Sequence, residues 1–243
     1  MSGTTSTSHI SSSNNFPRNN ILSALPEDES ARMRRHLDYV EFRRGEVIYE
    51  PNEPIRHVYF PFRSTISLVA VMEDGTEVEV GVCGGEGMVG LPLVLGTDIA
   101  PLRALVQIPD GGMKMRADAF VEELAQCPEL RRHLLRYAQA FFIQAAQTAA
   151  CNRLHPLEGR LARWLLVCHD RTRSDNLPLT HEFMATMLGS RRAGVTEAAR
   201  KLKMGRLIDY SRGNVRILDR EGLERFTCEC YATVKREFDR LLG

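Results

Sequence analysis

The hydrophobic period of this 243-residue chain changes once, near Ala117, and that change limits what it can fold into. Before it, short β-branched and aromatic runs alternate with turn residues. Val47-Ile48-Tyr49, Val58-Tyr59-Phe60, Thr65 to Met72, Thr76 to Val82, Leu102 to Ile108 and Met113 to Met115 are such runs. Gly45, Pro51-Asn52, Pro54, Gly84-Gly85 and Asp110-Gly111-Gly112 punctuate them, and Glu73-Asp74-Gly75 marks a hairpin. Many short strands at this spacing predict an antiparallel barrel or roll. After Ala117 apolar residues recur every three or four places, which predicts helices.

The first of those helices runs from Pro128 to about Arg153 and would be about 35–40 Å long at about 1.5 Å per residue. Leu130, Leu134, Tyr137/Ala138, Phe141, Ala145 and Thr148/Ala149 form its apolar stripe. A helix of this kind between two domains pairs with its own copy in a dimer, or else packs as a core helix of the roll. His155-Pro156 ends it, because proline disfavours helical geometry in the residue before it. A further helix follows, with Leu157, Leu161, Trp164-Leu165 and Cys168 inward.

Residues 181–200 fit the arithmetic of a helix-turn-helix. Ala185, Gly189 and Val195 supply the small crossing residue, the turn glycine and the apolar lock. Thr180 and Ser190 are placed to cap the two helices. On the second helix, Val195, Ala198 and Leu202 fall on one side, with Ala199 at its margin. Arg192, Thr196, Arg200 and Lys203 fall together on another, with Ala193 and Glu197 beside them. A basic face of this kind, pinned from behind, is what entry into a major groove requires. Two short strands joined by Ser211-Arg212-Gly213-Asn214 then read as a wing, with Arg212 at its tip.

Charge agrees with that division. The whole chain is nearly neutral at +1, yet residues 1–153 carry a net −4 and residues 154–243 a net +5. The C-terminal part is therefore the one suited to a polyanion. Arg191, Lys203 and Arg212 would hold phosphates. Arg192, Thr196 and Arg200 would read bases, with Glu197 able to accept from a cytosine amine. The alternative is a ligand-sensing signalling module whose C-terminal domain mainly contacts other proteins.

The order of roll, long helix and winged helix-turn-helix resembles the Crp/Fnr family of bacterial transcription regulators over roughly residues 21–243. The resemblance rests on Gly45-Glu46-Val47-Ile48, on Gly85-Glu86, and on Met187-Leu188-Gly189-Ser190-Arg191-Arg192 through Val195-Thr196. It implies an α+β fold: an N-terminal antiparallel, jelly-roll-like β-roll, a long dimerisation helix and a C-terminal winged helix-turn-helix. The expected divisions are a disordered tail at 1–20, a cyclic-nucleotide-binding-like sensory roll at 21–127, the helix at 128–153 and the DNA-binding domain at 154–243. It also implies a homodimer on a palindromic duplex operator, a small-molecule effector in the roll, and RNA polymerase as a partner if the protein activates.

The effector site departs from the family pattern. Gly85-Glu86 is kept, but the phosphate-binding Arg-Ser pair aligns with Leu102-Arg103, so Arg103 is one step off and would face the other side of its strand. The places of the adenine-binding hydroxyls are held by Ala145 and Ala146. Gly85, Glu86 and Arg103 are therefore the candidate effector residues, with weak or no cyclic AMP binding expected and either a different ligand or none in its place. On the DNA side, the family's base-reading Glu and Arg correspond to Ala193 and Glu197, so the resemblance implies a different operator.

Other chemistry finds no support. The first cysteine is Cys83, too late for an N-terminal iron–sulfur cluster. Cys83 and His57 read as a packed thiol and a surface imidazole rather than haem ligands. Gly85 to Gly90 spells G-x-G-x-x-G without the strand and helix a dinucleotide site needs. Cys228-x-Cys230 lacks further ligands within its own helix, so no metal and no cofactor are expected. No nucleophile and base are paired, so no catalysis is expected. Six scattered cysteines read as reduced thiols of a cytoplasmic protein, and no run is long enough to span a membrane.

Overall fold

The computed structural model describes residues 19–243. The expected tail therefore lies outside the described residues except for Asn19 and Asn20, and these two are not tail. Asn19 is fully buried, caps the first helix through Leu22 N, and donates from Nδ2 to the carbonyls of Pro61 (3.0 Å) and Gly87 (2.9 Å). Its four hydrogen-bonding positions suit it to tie three loops together, which composition alone does not reveal.

In chain order the N-terminal part contains α1 (Asn20–Ser23), α2 (Glu27–Arg34), β1 (Asp38–Glu41), β2 (Val47–Tyr49), β3 (His57–Pro61), β4 (Thr65–Val71), β5 (Glu77–Cys83), α3 (Leu91–Val94), β6 (Arg103–Ile108), β7 (Gly111–Arg116) and α4 (Ala117–Gln126). All pairings are antiparallel. One sheet has the order β2-β6-β4-β5, the other β1-β7-β3. The hairpin joining β4 and β5 closes with Met72 N donating to Thr76 O (2.8 Å) and Thr76 N donating to Asp74 Oδ1 (2.9 Å). Phe42, Val58, Phe60, Ile66, Val106 and Met115 fill the space between the sheets. This is the expected roll.

The long helix α5 covers Pro128–Leu154, as its period predicts. Leu130, Leu134 and Tyr137 belong to the roll's own core. Most of the stripe expected to pair with a second copy is thus occupied within the chain. The opposite face is open: Leu135, Gln139, Phe142, Ala146 and Ala149 are exposed. An amphipathic pattern cannot tell which of two apolar faces meets the roll when alanines occupy both.

Beyond the break at His155 follow α6 (Leu157–Thr172), β8 (Asn176–Leu177), α7 (His181–Met187), α8 (Arg192–Met204), β9 (Ile208–Ser211), β10 (Asn214–Ile217), α9 (Arg220–Phe226) and α10 (Cys230–Leu242). Helix α6 is buried without interruption from Leu161 to Cys168, because one side meets α8 and α9 and another meets β4 of the roll. One continuous core joins Val69, Val82 and Ile108 of the roll to Trp164, Met187 and Val195. No helix among the described residues is long and apolar enough to cross a membrane.

A polar chain crosses that junction. Trp164 Nε1 donates to Glu79 Oε1 (2.9 Å), and Ser67 Oγ lies 2.6 Å from Glu79 Oε2 and 2.8 Å from Gln107 Oε1. Burial raises the Glu79 carboxyl above its ordinary range, against the opposing pull of its hydrogen bonds with Ser67 and Trp164. A carboxyl held high in the folded state favours folding while protonated, and that advantage is lost as pH rises through its folded value. The E79Q variant is therefore expected to melt higher than the native chain at pH 8. Its amide can donate to Ser67, whose hydroxyl then donates to Gln107, and no charge is buried. The gain should shrink as pH falls toward 4.5, the carboxyl's ordinary value. Thermal melts at pH 8 and pH 5 check this; equal melting shifts at both would contradict a buried charge.

Candidate nucleic-acid interface

Helix α7 starts where expected: Thr180 Oγ1 accepts from Phe183 N at 3.1 Å. The turn that follows needs a left-handed residue, and Gly189 supplies it at φ +55°. The start of α8 differs from expectation. Its N-cap is Arg191, not Ser190, because Ser190 N still donates back to Ala185 O (2.9 Å) within the turn. No side chain caps α8. The free N–H groups at its first turn are left pointing outward with the positive end of the helix dipole.

The two faces of α8 separate as the period predicts. Val195, Ala198 and Leu202 are buried, and Ala199, placed at the margin from sequence, is buried with them. Arg191, Arg192, Thr196, Glu197, Arg200 and Lys203 are all exposed. Arg212 is also exposed, at the tip of the β9–β10 wing. There Arg212 (φ +48°) and Gly213 (φ +78°) form a two-residue turn with both residues left-handed, the geometry that matches strand twist. β8 adds a third strand to this sheet.

The exposed charges are partly paired. Arg200 grips Glu197 through two nitrogens (2.6 and 2.9 Å), Lys203 meets Asp209 (2.7 Å), and Arg192 stands 3.6 Å from Glu182. Lys201 reaches back to Glu158 on α6 (2.9 Å). All are surface pairs of small worth that a phosphate could replace. Among the described residues Arg191 and Arg212 pair with no carboxylate.

One residue of this surface escapes a reading of the sequence. His181 stacks on Tyr210 of the wing (centroids 4.0 Å apart, 20° between planes), and its Nδ1 lies 3.0 Å from Thr196 Oγ1. Burial, followed by the charge of Arg192, lowers its pKa. It locks the wing and α8 into one surface. Its partners lie 15 and 29 residues away, so nothing local announces it.

The roll touches the turn but not the cationic flank. Val78 on β5 packs against Gly189, where an added Cβ would lie 3.1 Å from Val78 Cγ2. From the other side, Arg160 of α6 donates to Leu188 O. An open groove separates the β4–β5 hairpin tip from Ser190 to Arg192.

The candidate effector residues are not brought together. Glu86 accepts from Arg171 of α6 (2.8 Å) and from Gly84 N (3.1 Å). Arg103 pairs with Glu50 (2.8 Å) and Glu77. Gly85 and Glu86 line a cleft beside Arg171 that Arg103 does not reach. A separate cavity of about 280 Å³ lies between roll and α5, and its walls are apolar: Leu68, Met88, Leu102, Tyr137, Phe141 and Ala145 are among them.

Comparison with known proteins places these features. Residues 159–226 match the Crp-like helix-turn-helix domain. The chain is 23% identical over 210 residues to the global nitrogen regulator of Synechococcus elongatus, spanning 83% of this chain and 94% of that one. Its fold is similar to FixK2 from Bradyrhizobium japonicum (TM-score 0.67, 16% identity, 79% of this chain and 98% of that one). It is also similar to a CRP-family transcriptional regulator from Thermus thermophilus (TM-score 0.63, 22% identity, 77% and 95%). Residues 159–226 thus match a Crp-like helix-turn-helix domain, in a chain whose fold is that of FixK2 and of the CRP-family structure.

Proposed function

We propose that the protein binds a two-fold-symmetric operator as a homodimer, with α8 of each subunit in successive major grooves about 34 Å apart. The observation that carries this reading is the uncovered flank of α8: Arg192, Thr196 and Arg200 face solvent while Val195, Ala198 and Leu202 are buried behind them. Arg191, the uncapped helix start, Lys203 and Arg212 supply phosphate contacts; Arg192 and Thr196 read bases. Arg200 and Glu197 neutralise each other until one of them engages a base. The exposed apolar face of α5 supports the dimer. The effector of the roll is not cyclic AMP, because Glu86 and Arg103 are spent on ion pairs within the chain and the cavity beside α5 is apolar.

The test compares two variants on an operator selected from a random duplex pool and on random duplex. Arg192→Ala is expected to lose about 1–3 kcal/mol on the operator and much less on random duplex. Arg212→Ala should weaken both alike and lower the salt slope by about one unit. Equal losses for Arg192→Ala on both duplexes would reject its base-reading role, and an unchanged slope for Arg212→Ala would reject the wing contact. Failure of the native chain to prefer any duplex would favour a C-terminal domain that contacts protein.

A further inference from the structure

The expectation of no metal rests on Cys228 and Cys230 having no further ligands in their own helix. The fold supplies them from elsewhere. Cys151, in the last turn of α5, and His155, just past its end, meet the segment that opens α10. One donor atom each of Cys151, His155, Cys228 and Cys230 lies within 4.8 Å of all the others.

We propose that these four side chains form a mononuclear Cys3His site for a thiophilic divalent cation of the zinc type, tying the long helix to the C-terminal helix. The spacing fits one ion. Zinc–sulfur bonds of about 2.3 Å and zinc–nitrogen bonds of about 2.0–2.1 Å in a tetrahedron put sulfurs about 3.8 Å apart and sulfur about 3.6 Å from nitrogen. Cys151 Sγ and Cys228 Sγ are 3.6 Å apart, and Cys230 Sγ is 3.4 Å from His155 Nδ1. A cluster of several irons holds its cysteine sulfurs wider than this. A Cys151–Cys228 disulfide would leave Cys230 and His155 without a role.

The surroundings are those of a built site. With Nδ1 turned to the cysteines, His155 Nε2 faces the Glu229 carboxylate at 3.3 Å, the outer partner that orients a ligating imidazole. Gln147 Nε2 lies 3.2 Å from Cys230 Sγ, where its N–H can donate to a thiolate. Three thiolates around one divalent ion carry a net single negative charge. The buried guanidinium of Arg163, whose Nε has no hydrogen-bond partner, acts electrostatically on Cys151 and supplies the counter-charge. Cys151 and Cys230 are buried while Cys228 and His155 keep an open edge for the ion to enter. The site straddles the His155-Pro156 break between α5 and α6, so an ion there would pin the DNA-binding part to the long helix.

The full chain, expressed with zinc and purified under reducing conditions without chelator, tests this. Mass spectrometry for metals should find about one zinc per chain, and the C228S/C230S variant should fall below about a tenth of that. The C127S variant, which removes a buried thiol outside the cluster, should keep its zinc. Cobalt loaded in place of zinc should show the intense visible bands of a tetrahedral thiolate site in the native chain, so the test stands even if the cysteine variants fail to fold. The H155C variant should keep the metal and strengthen the sulfur-to-cobalt band. A metal-free native chain with only the pale spectrum of octahedral cobalt would overturn the proposal, as would equal zinc in C228S/C230S. None of these readouts involves DNA, so the metal site and the operator reading stand or fall separately.

Discussion

Replacing Arg171 by methionine is expected to destabilise the chain by about 3 kcal/mol, the lower end of the range for breaking a buried ion pair. Arg171 Nε donates to Glu86 at 2.8 Å, while its other nitrogens reach the carbonyls of Val167 and Val82 (3.2 Å each). Its side chain is 9% exposed and that of Glu86 17%. Methionine fills most of the volume but leaves the Glu86 carboxylate with one donor, Gly84 N, and leaves the Val82 carbonyl without its guanidinium. The residual exposure of Glu86 lets water soften the penalty, hence the lower end of the range. Adding E86Q to R171M should recover much of the loss, since the stranded charge is gone. Urea unfolding of the native chain, both single variants and the double variant measures the cycle. A loss under about 0.5 kcal/mol for R171M would mean the pair behaves as a surface contact.

That pair also explains why the effector residues mislead along the sequence. Gly85-Glu86 is visible as a motif, but the partner of Glu86 is on α6, 85 residues away, and no local pattern shows that its charge is already used. The resemblance implies that Arg103 stands one step off the family's phosphate-binding place; in the structure Arg103 pairs with Glu50 and Glu77. What is legible is what depends on neighbours in sequence. The β4–β5 hairpin follows from Asp74-Gly75, the start of α5 from Pro128, the α7 cap from Thr180, and the two faces of α8 from a spacing of three and four. Contacts between distant segments are not legible: the His181–Tyr210 stack, the Trp164–Glu79 bond, and the approach of Cys151 and His155 to Cys228 and Cys230. The Ser190 cap fails for a local reason of a different kind. A hydroxyl in the right place can still be held in the preceding turn by its own backbone N–H, and the helix then begins one residue later.

The open face of α5 gives the largest expected effect on binding. Leu135, Phe142 and Ala149 recur every seven residues on the exposed face, with Gln139 and Ala146 four places after the first two, which is the spacing of a two-helix seam. Phe142 is 72% exposed, an uncommon position for a phenylalanine unless a second surface covers it. Ala146 and Ala149 are small enough to let helices approach closely while Leu135 and Phe142 fill the seam. Phe142→Glu would set two carboxylates against each other across a two-fold axis, so the chain should sediment as a monomer. A dimer gains the second half-site at high effective concentration. Its loss should weaken binding to the two-half-site operator by about 100- to 10,000-fold, yet leave affinity for a single half-site unchanged. The melting temperature of the subunit should move little, since the removed ring covers little of the subunit's own core. Phe142 also borders the apolar cavity, so Leu135→Glu, which does not, provides an independent second variant. Sedimentation and binding to whole and half operators separate the outcomes. If both variants remain dimeric and bind the whole operator like the native chain, α5 is not the seam, and the subunits must meet elsewhere.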